Sequence, residues 1–179
     1  MATKKKVGIK VPTKNEILKK YGSMIIQASD TKEPGLWLPS TFFNLNYTLG
    51  GGFPWGKVTE IAGEESSGKT LIALNAAYAC QQLGGSVIWV DAEQSWMNSW
   101  AELNGIDPNK VTVIRDTRIE YISDAVADVA IYLRSQLVNN EPILLVVDSV
   151  AAIDCSDNID SKMVDGKAEM GGRAKALYK

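Results

Sequence analysis

One octapeptide constrains this chain more than any other stretch. Residues 63–70 read GEESSGKT, which matches the spacing G-x-x-x-x-G-K-S/T at every fixed position. Glycines at these positions let successive backbone N–H groups converge on one anion, while Lys69 adds a positive charge and the Thr70 hydroxyl can ligate Mg²⁺. The pattern predicts a loop that binds nucleotide phosphates, with ATP and Mg²⁺ as the expected cofactors. The predicted nucleotide contacts are Gly63, Glu64, Glu65, Ser66, Ser67, Gly68, Lys69, Thr70 and Leu71.

The residues on either side of this loop predict the structural context that the motif requires. Residues 57–62 (KVTEIA) are typical of a strand that enters the loop, and residues 70–80 (TLIALNAAYAC) are typical of a helix that leaves it. Such a helix directs the positive end of its dipole at the phosphates. The alternative is a chance glycine-rich turn between a strand and a helix.

Strand and helix patterns alternate through the rest of the chain. Residues 86–91 and 142–148 are apolar runs typical of buried strands, and residues 111–115 predict a third strand. Apolar residues recur at helical spacing over residues 120–138. This alternation predicts an α/β fold with a mostly parallel, twisted sheet flanked by helices.

A basic arm precedes this core. Residues 1–20 carry seven lysines and one glutamate, a net charge of +6, so the remaining residues must carry −8 to give the total of −2. Thr13 and Glu16 have the spacing of a capping box, which predicts a helix start. We therefore expect an arm over residues 1–35 that contacts nucleic acid or an acidic surface, followed by a core over residues 36–179. A solvated tail is the alternative for residues 1–10. The apolar stripe of the arm comprises Ile17, Leu18, Tyr21, Met24 and Ile25.

Composition excludes several classes of chemistry. The chain has no histidine, which removes Ser-His-Asp and Cys-His catalysis and most zinc sites. Cys80 and Cys155 form no C-x-x-C pair, which indicates reduced thiols in a cytoplasmic protein. No apolar run approaches the roughly 18 residues of a membrane span, so no membrane partner is expected. Any general base must be a carboxylate or a lysine.

Two acids follow predicted strands. Asp148 ends the apolar run 142–148, where an acid can hold Mg²⁺, and its alternative role is to cap the next turn. The next residue is Ser149, so the carboxylate that orients or deprotonates the attacking water is expected to be Glu93, just past residues 86–91. The alternative for Glu93 is an acid at a helix N-terminus. On the next predicted helix, Trp100 and Trp96 can stack on adenine or serve as packing.

Residues 154–172 are rich in Asp, Ser, Lys and Gly, which is typical of a mobile loop at the carboxyl end of a sheet. Basic side chains in and after this stretch can contact phosphates, and a glycine pair allows close backbone approach. A merely solvated loop is the alternative. The predicted DNA contacts are Lys162, Lys167, Met170, Gly171, Gly172, Arg173 and Lys175.

Several sequence blocks together resemble the RecA family of recombinases, including phage-encoded members. They are GGGFPWGK at 50–57, EESS at 64–67, VDAE at 90–93, VVDSVAA at 146–152 and EMG at 169–171. The resemblance implies a RecA-like P-loop NTPase fold and a DNA-dependent ATPase. Such a protein forms helical filaments on single-stranded DNA for homologous pairing and strand exchange with double-stranded DNA. It is expected in the bacterial cytoplasm, or in the host cytoplasm if phage-encoded.

The resemblance also implies roles for individual residues. Glu93 takes the place of the catalytic glutamate, acting with Lys69, and Trp100 that of an adenine-stacking tyrosine. Met97 stands where the family often has an adenine-contacting aspartate, which is a departure. Residues 157–172 resemble the first DNA-binding loop, with Met170 as an apolar wedge, and the N-terminal helix resembles an arm that docks on a neighbouring subunit.

The family's second DNA-binding loop and further strands would come after Lys179, so a truncated form is expected. Two other functions share the phosphate loop. One is a RecA-like ring motor of the helicase or branch-migration type, which would form closed rings rather than filaments. The other is an ATP-binding assembly or clock-type regulatory module, which would show no salt-dependent DNA binding.

Overall fold

The computed structural model describes residues 12–24 and 36–155. The chain divides into two compact units, Met1–Gly35 and Leu36–Lys179. All seven predicted DNA contacts, from Lys162 to Lys175, lie outside the described residues, as does Ile25 of the predicted apolar stripe.

Helix α1 (Lys14–Tyr21) lies in the first unit and begins with the predicted capping box. The Thr13 hydroxyl accepts a hydrogen bond from the Glu16 backbone N–H at 3.3 Å, and the Thr13 N–H donates to Glu16 Oε2 at 2.8 Å. The helix ends at Tyr21 because Gly22 adopts a φ of +53°, and a 3₁₀ turn follows over Gly22–Met24. Met24 of the predicted apolar stripe therefore lies past the end of this helix.

The second unit holds the predicted alternation of strands and helices. Its elements are β1 (Trp37–Leu38), α2 (Phe43–Leu49), β2 (Phe53–Pro54), α3 (Lys69–Gln82), β3 (Ser86–Asp91), α4 (Asn98–Leu103), β4 (Val111–Ile114), α5 (Ile119–Gln136) and β5 (Ile143–Asp148). Helices α3 and α5 and strands β3, β4 and β5 confirm the sequence predictions to within two residues at each end. Sequence patterns did not reveal β1, α2 or β2.

Three parallel strands form the main sheet, in the order β4–β3–β5. The central strand β3 is buried from Val87 to Asp91, as its apolar run predicts. Strand β5 pairs with β3 in a register that sets Asp91 opposite Asp148. A separate antiparallel pair joins β1 to β2. The predicted parallel α/β architecture is confirmed.

The predicted strand at residues 57–62 is absent. Val58 is 98% exposed, and none of the strands in residues 36–155 pairs with this segment. A strand needs a neighbour to accept and donate its backbone hydrogen bonds, and β5 pairs with β3 alone among the described strands. The prediction was wrong, so the phosphate loop has its expected context on the helix side only.

The buried core has two clusters, one that includes residues of α3 and the sheet and a smaller one that includes Val90 of β3 and Ile122 of α5. Leu74, Ala77 and Cys80 of α3 join one buried cluster with Val87 and Trp89 of β3. Burial raises the pKa of the Cys80 thiol to about 11. Cys80 and Cys155 are both buried free thiols. Among the described helices, none combines the length and the apolar character needed to cross a membrane.

Candidate active site

The phosphate loop is an exposed turn that ends where α3 begins. Gly68 has a φ of +90° and is the N-cap of α3. At Gly63, an added Cβ would lie 2.7 Å from Ser67 Oγ, so a side chain there would require the Ser67 hydroxyl to move. Gly68 has no side chain with which to cap α3, and the N–H groups of the first turn can therefore serve an anion. Leu71 lies in this turn and is 38% exposed.

The ammonium group of Lys69 lies against the backbone of the phosphate loop. Its Nζ donates hydrogen bonds to the carbonyl oxygens of Gly63 at 3.0 Å and Glu64 at 2.7 Å. The lysine thereby joins both ends of the motif, and its ammonium stays at the loop instead of extending into solvent. A positive charge in this position suits a phosphate group, which is also the role that the sequence predicted.

Thr70 and Asp148 meet although 78 residues separate them. The Thr70 hydroxyl donates to Asp148 Oδ2 at 2.9 Å, which joins the first turn of α3 to the end of β5. One hydroxyl and one carboxylate fit Mg²⁺, because this ion keeps several waters and takes its remaining ligands from one or two carboxylates and substrate phosphates. Residues 12–24 and 36–155 contain no group of three or more His, Cys, Asp or Glu that could enclose a metal. The pair therefore fits an ion shared with a nucleotide.

Glu93 lies at the same end of the sheet. The Ala92 N–H donates to the Asp148 carbonyl at 3.1 Å, which extends the β3–β5 ladder beyond its last registered pair. Glu93 follows Ala92 and Ser149 follows Asp148, so these two residues face each other. The Ser149 hydroxyl donates to Glu93 Oε1 at 2.5 Å. The structure thus brings the proposed base next to the strand end that carries Asp148.

A buried carboxylate organises the segment after Glu93. Asp91 is 0% exposed and accepts hydrogen bonds from the N–H groups of Ser95 at 2.8 Å and Trp96 at 3.1 Å. Arg115, from the end of β4, donates to Asp91 Oδ2 at 3.2 Å and to the Trp96 carbonyl at 3.3 Å. Sequence reasoning missed this role. The available signal was the repeated Val-Asp at the ends of β3 and β5.

A pocket connects the phosphate side to α4. Thr70 and Asp148 line one part of it, and Met97 and Trp100 line another. Trp100 is 38% exposed, so its ring is accessible to a ligand. Trp96 precedes α4, so its predicted place on that helix was wrong, and its ring packs on Trp89 with centroids 5.0 Å apart.

The RecA N-terminal domain family matches residues 10–179 of this chain. This chain belongs to that family. The match confirms the resemblance and the RecA-like α/β fold that the sequence blocks implied.

RecA proteins from three bacteria illustrate the similarity. Protein RecA of Malacoplasma penetrans is 37% identical over 165 residues, covering 92% of this chain and 47% of the relative. Protein RecA of Nitratidesulfovibrio vulgaris is 34% identical over 164 residues, covering 90% and 43%. Protein RecA of Bacteroides thetaiotaomicron is 31% identical over 185 residues, covering 100% and 54%. This RecA-family chain spans about half the length of the relatives that it matches.

Proposed function

We propose that this chain is the ATP-binding part of a cytoplasmic, DNA-dependent recombinase that hydrolyses ATP with Mg²⁺. One observation carries the proposal. Lys69, Thr70, Glu93 and Asp148 come from three separate places in the sequence and meet at one end of the sheet, beside the phosphate loop. Membership of the RecA N-terminal domain family supports the same function.

The proposal assigns roles in phosphate binding, base stacking, metal binding and water activation to residues of this site. The loop N–H groups and Lys69 bind the phosphates, and Trp100 stacks on the base. Thr70 and Asp148 hold Mg²⁺, which would neutralise charge on the phosphate oxygens. Glu93 orients the attacking water and accepts its proton.

Replacement of Lys69 tests the nucleotide site. Lys69→Ala removes a charge-assisted phosphate contact and should weaken ATP binding by ~1.5–3 kcal/mol. Isothermal titration calorimetry of ATP with Mg²⁺ measures the effect, with Lys110→Ala as the control because Lys110 is an exposed lysine on a different loop. Equal affinity for the parent and Lys69→Ala chains would refute the assignment.

The sequence supports the DNA part of the proposal. We place single-stranded DNA on residues 157–175, with Arg173 and Lys175 on phosphates, and Met170 between bases. Repetition along a filament would make these weak contacts effective, and double-stranded DNA would be the partner in strand exchange. Lys162, Lys167 and the Gly171-Gly172 pair complete the proposed contact set.

The double variant Arg173→Ala/Lys175→Ala tests this surface. Loss of two phosphate contacts should weaken binding to single-stranded DNA and make its salt dependence shallower, by about two units of the log–log slope. Fluorescence anisotropy of labelled DNA measures both quantities. If affinity and slope equal those of the parent, the basic arm at residues 1–20 becomes the proposed DNA site. Electron micrographs of the same complexes distinguish filaments from closed rings.

A further inference from the structure

Ser149 is the hydrogen-bond donor that faces Glu93. Its hydroxyl lies 2.5 Å from Glu93 Oε1, and 56 residues separate the two along the chain. Glu93 itself is exposed and belongs to no ion pair within residues 12–24 and 36–155. An exposed glutamate has several rotatable bonds and adopts many rotamers unless a partner holds it. Among the described residues, the Ser149 hydroxyl is the side-chain donor that restricts this carboxylate.

The backbone places the two residues opposite each other. The β3–β5 register ends at Asp91 and Asp148, and the bond from the Ala92 N–H to the Asp148 carbonyl extends the ladder by one residue. Ser149 directly follows the aspartate that meets Thr70 of the phosphate loop. A hydroxyl at this position therefore holds the Glu93 carboxylate at the strand end that faces the phosphates.

We propose that Ser149 is a positioning residue that acts through Glu93 during ATP hydrolysis, an inference that rests on the function proposed above. The Ser149 hydroxyl donates to Oε1 of Glu93, which leaves Oε2 of Glu93 to face the attacking water. In that step the water oxygen bonds to the γ-phosphorus and its proton passes to Oε2. The bond from the γ-phosphorus to the bridging oxygen breaks, and ADP leaves with that electron pair.

The contact contributes little to folding. Ser149 is half-buried and Glu93 is exposed, so loss of the hydroxyl leaves no deeply buried polar group without a partner. A stability effect and a positioning effect are therefore separable. Positioning should change turnover and leave both the unfolding midpoint and ATP affinity unchanged.

A double-mutant cycle on the full chain tests the proposal. Ser149→Ala should lower turnover at saturating ATP about 10-fold, less than the about 100-fold expected for Glu93→Gln, because positioning is weakened and the base is retained. Ser149→Thr keeps a hydroxyl and should stay within about 2-fold of the parent. Added to Glu93→Gln, Ser149→Ala should cause no further loss. Ser123→Ala, whose hydroxyl bonds to the Glu120 carbonyl on α5, is the matched control.

Several outcomes would overturn the proposal. They are unchanged turnover in Ser149→Ala, an equal further loss in the Glu93→Gln background, or weaker ATP binding by calorimetry in Ser149→Ala. A parent chain that fails to bind ATP instead refutes the proposed function, and this inference with it. Crystal structures of the nucleotide-free parent and Ser149→Ala chains add a readout that does not need turnover. The Glu93 carboxylate should hold one position in the parent and several in the variant, and an identical single position in both would overturn the inference.

Discussion

Asp91 and Asp148 end two neighbouring parallel strands in the same register, and their surroundings differ. Asp91 is 0% exposed, and both of its oxygens accept hydrogen bonds from the protein, two of them from backbone N–H groups. Asp148 is half-buried and accepts a side-chain hydrogen bond from Thr70. The two aspartates thus occupy equivalent strand ends in different surroundings, because Asp91 lies inside the molecule and Asp148 lies beside the phosphate loop.

The buried Asp91 holds the backbone after Glu93 in place, whereas the half-buried Asp148 lies beside the phosphate loop. The Asp91 side chain anchors the N–H groups of Ser95 and Trp96, between Glu93 and Trp100. Arg115 completes the anchor with its bonds to Asp91 and to the Trp96 carbonyl. The Asp148 side chain has fewer protein partners and so has lone pairs available for the proposed Mg²⁺. The carboxylate that we propose as a Mg²⁺ ligand is the one with fewer protein partners.

The largest expected effect comes from Asp91. Asp91→Asn removes the charge beside the Arg115 guanidinium and replaces one of the two acceptor oxygens with an NH₂ donor. One buried set of donors then loses its acceptor, so the free energy of unfolding should fall by about 3 kcal/mol. Urea unfolding followed by tryptophan fluorescence measures the loss. Asp128→Asn, an exposed position on α5, is the control and should change little. A loss below ~1 kcal/mol would show that Asp91, like Asp148, contributes little to the free energy of unfolding.

Asp148 should show the opposite behaviour. Asp148→Asn keeps an oxygen for the Thr70 hydroxyl and removes the charge, so the free energy of unfolding should change by no more than ~0.5 kcal/mol. ATP affinity with Mg²⁺ present should fall about 10- to 100-fold, the usual scale for a perturbed metal site. Calorimetry with and without EDTA measures this, and the two chains should bind metal-free ATP equally. Equal affinity in Mg²⁺ as well would remove Asp148 from the metal site.

Asp116 extends the comparison to the third strand, with the smallest expected effect. It lies just past β4, and the Arg118 side chain, which donates at 2.7 and 2.9 Å, lowers the pKa of this carboxyl from 3.8 to about 2. Because the folded-state pKa is lowered, this stabilisation is present above pH 3.8 and is lost as the pH falls through about 2.

The Asp116→Asn variant measures that contribution. Asp116 and Arg118 are both partly solvated, so at neutral pH the variant should lose less than ~1 kcal/mol of unfolding free energy. The difference from the parent should shrink as the pH falls from about 4 to about 2. Urea unfolding over that range, with Asp128→Asn as reference, provides the test. A pH-independent difference would mean that the pair does not act through its charge.

Local sequence patterns predicted much of the fold. The apolar runs marked β3 and β5, helical spacing marked α5, and the spacing of Thr13 and Glu16 marked the start of α1. These features could be predicted because periodicity and capping depend on residues a few positions apart. The same reasoning predicted that Lys69, Thr70, Glu93 and Asp148 belong to one site, from the motif and from the rule that parallel strands end together.

Contacts between distant residues were decided by the tertiary structure alone. The sequence determined that two strands end in aspartate, but only packing made Asp91 a buried anchor and left Asp148 beside Thr70. The bond between Ser149 and Glu93 arises from the β3–β5 register, and residues 57–62 form no strand because no described strand pairs with them. Burial and backbone pairing depend on neighbours far away in the sequence, and a linear pattern does not contain them.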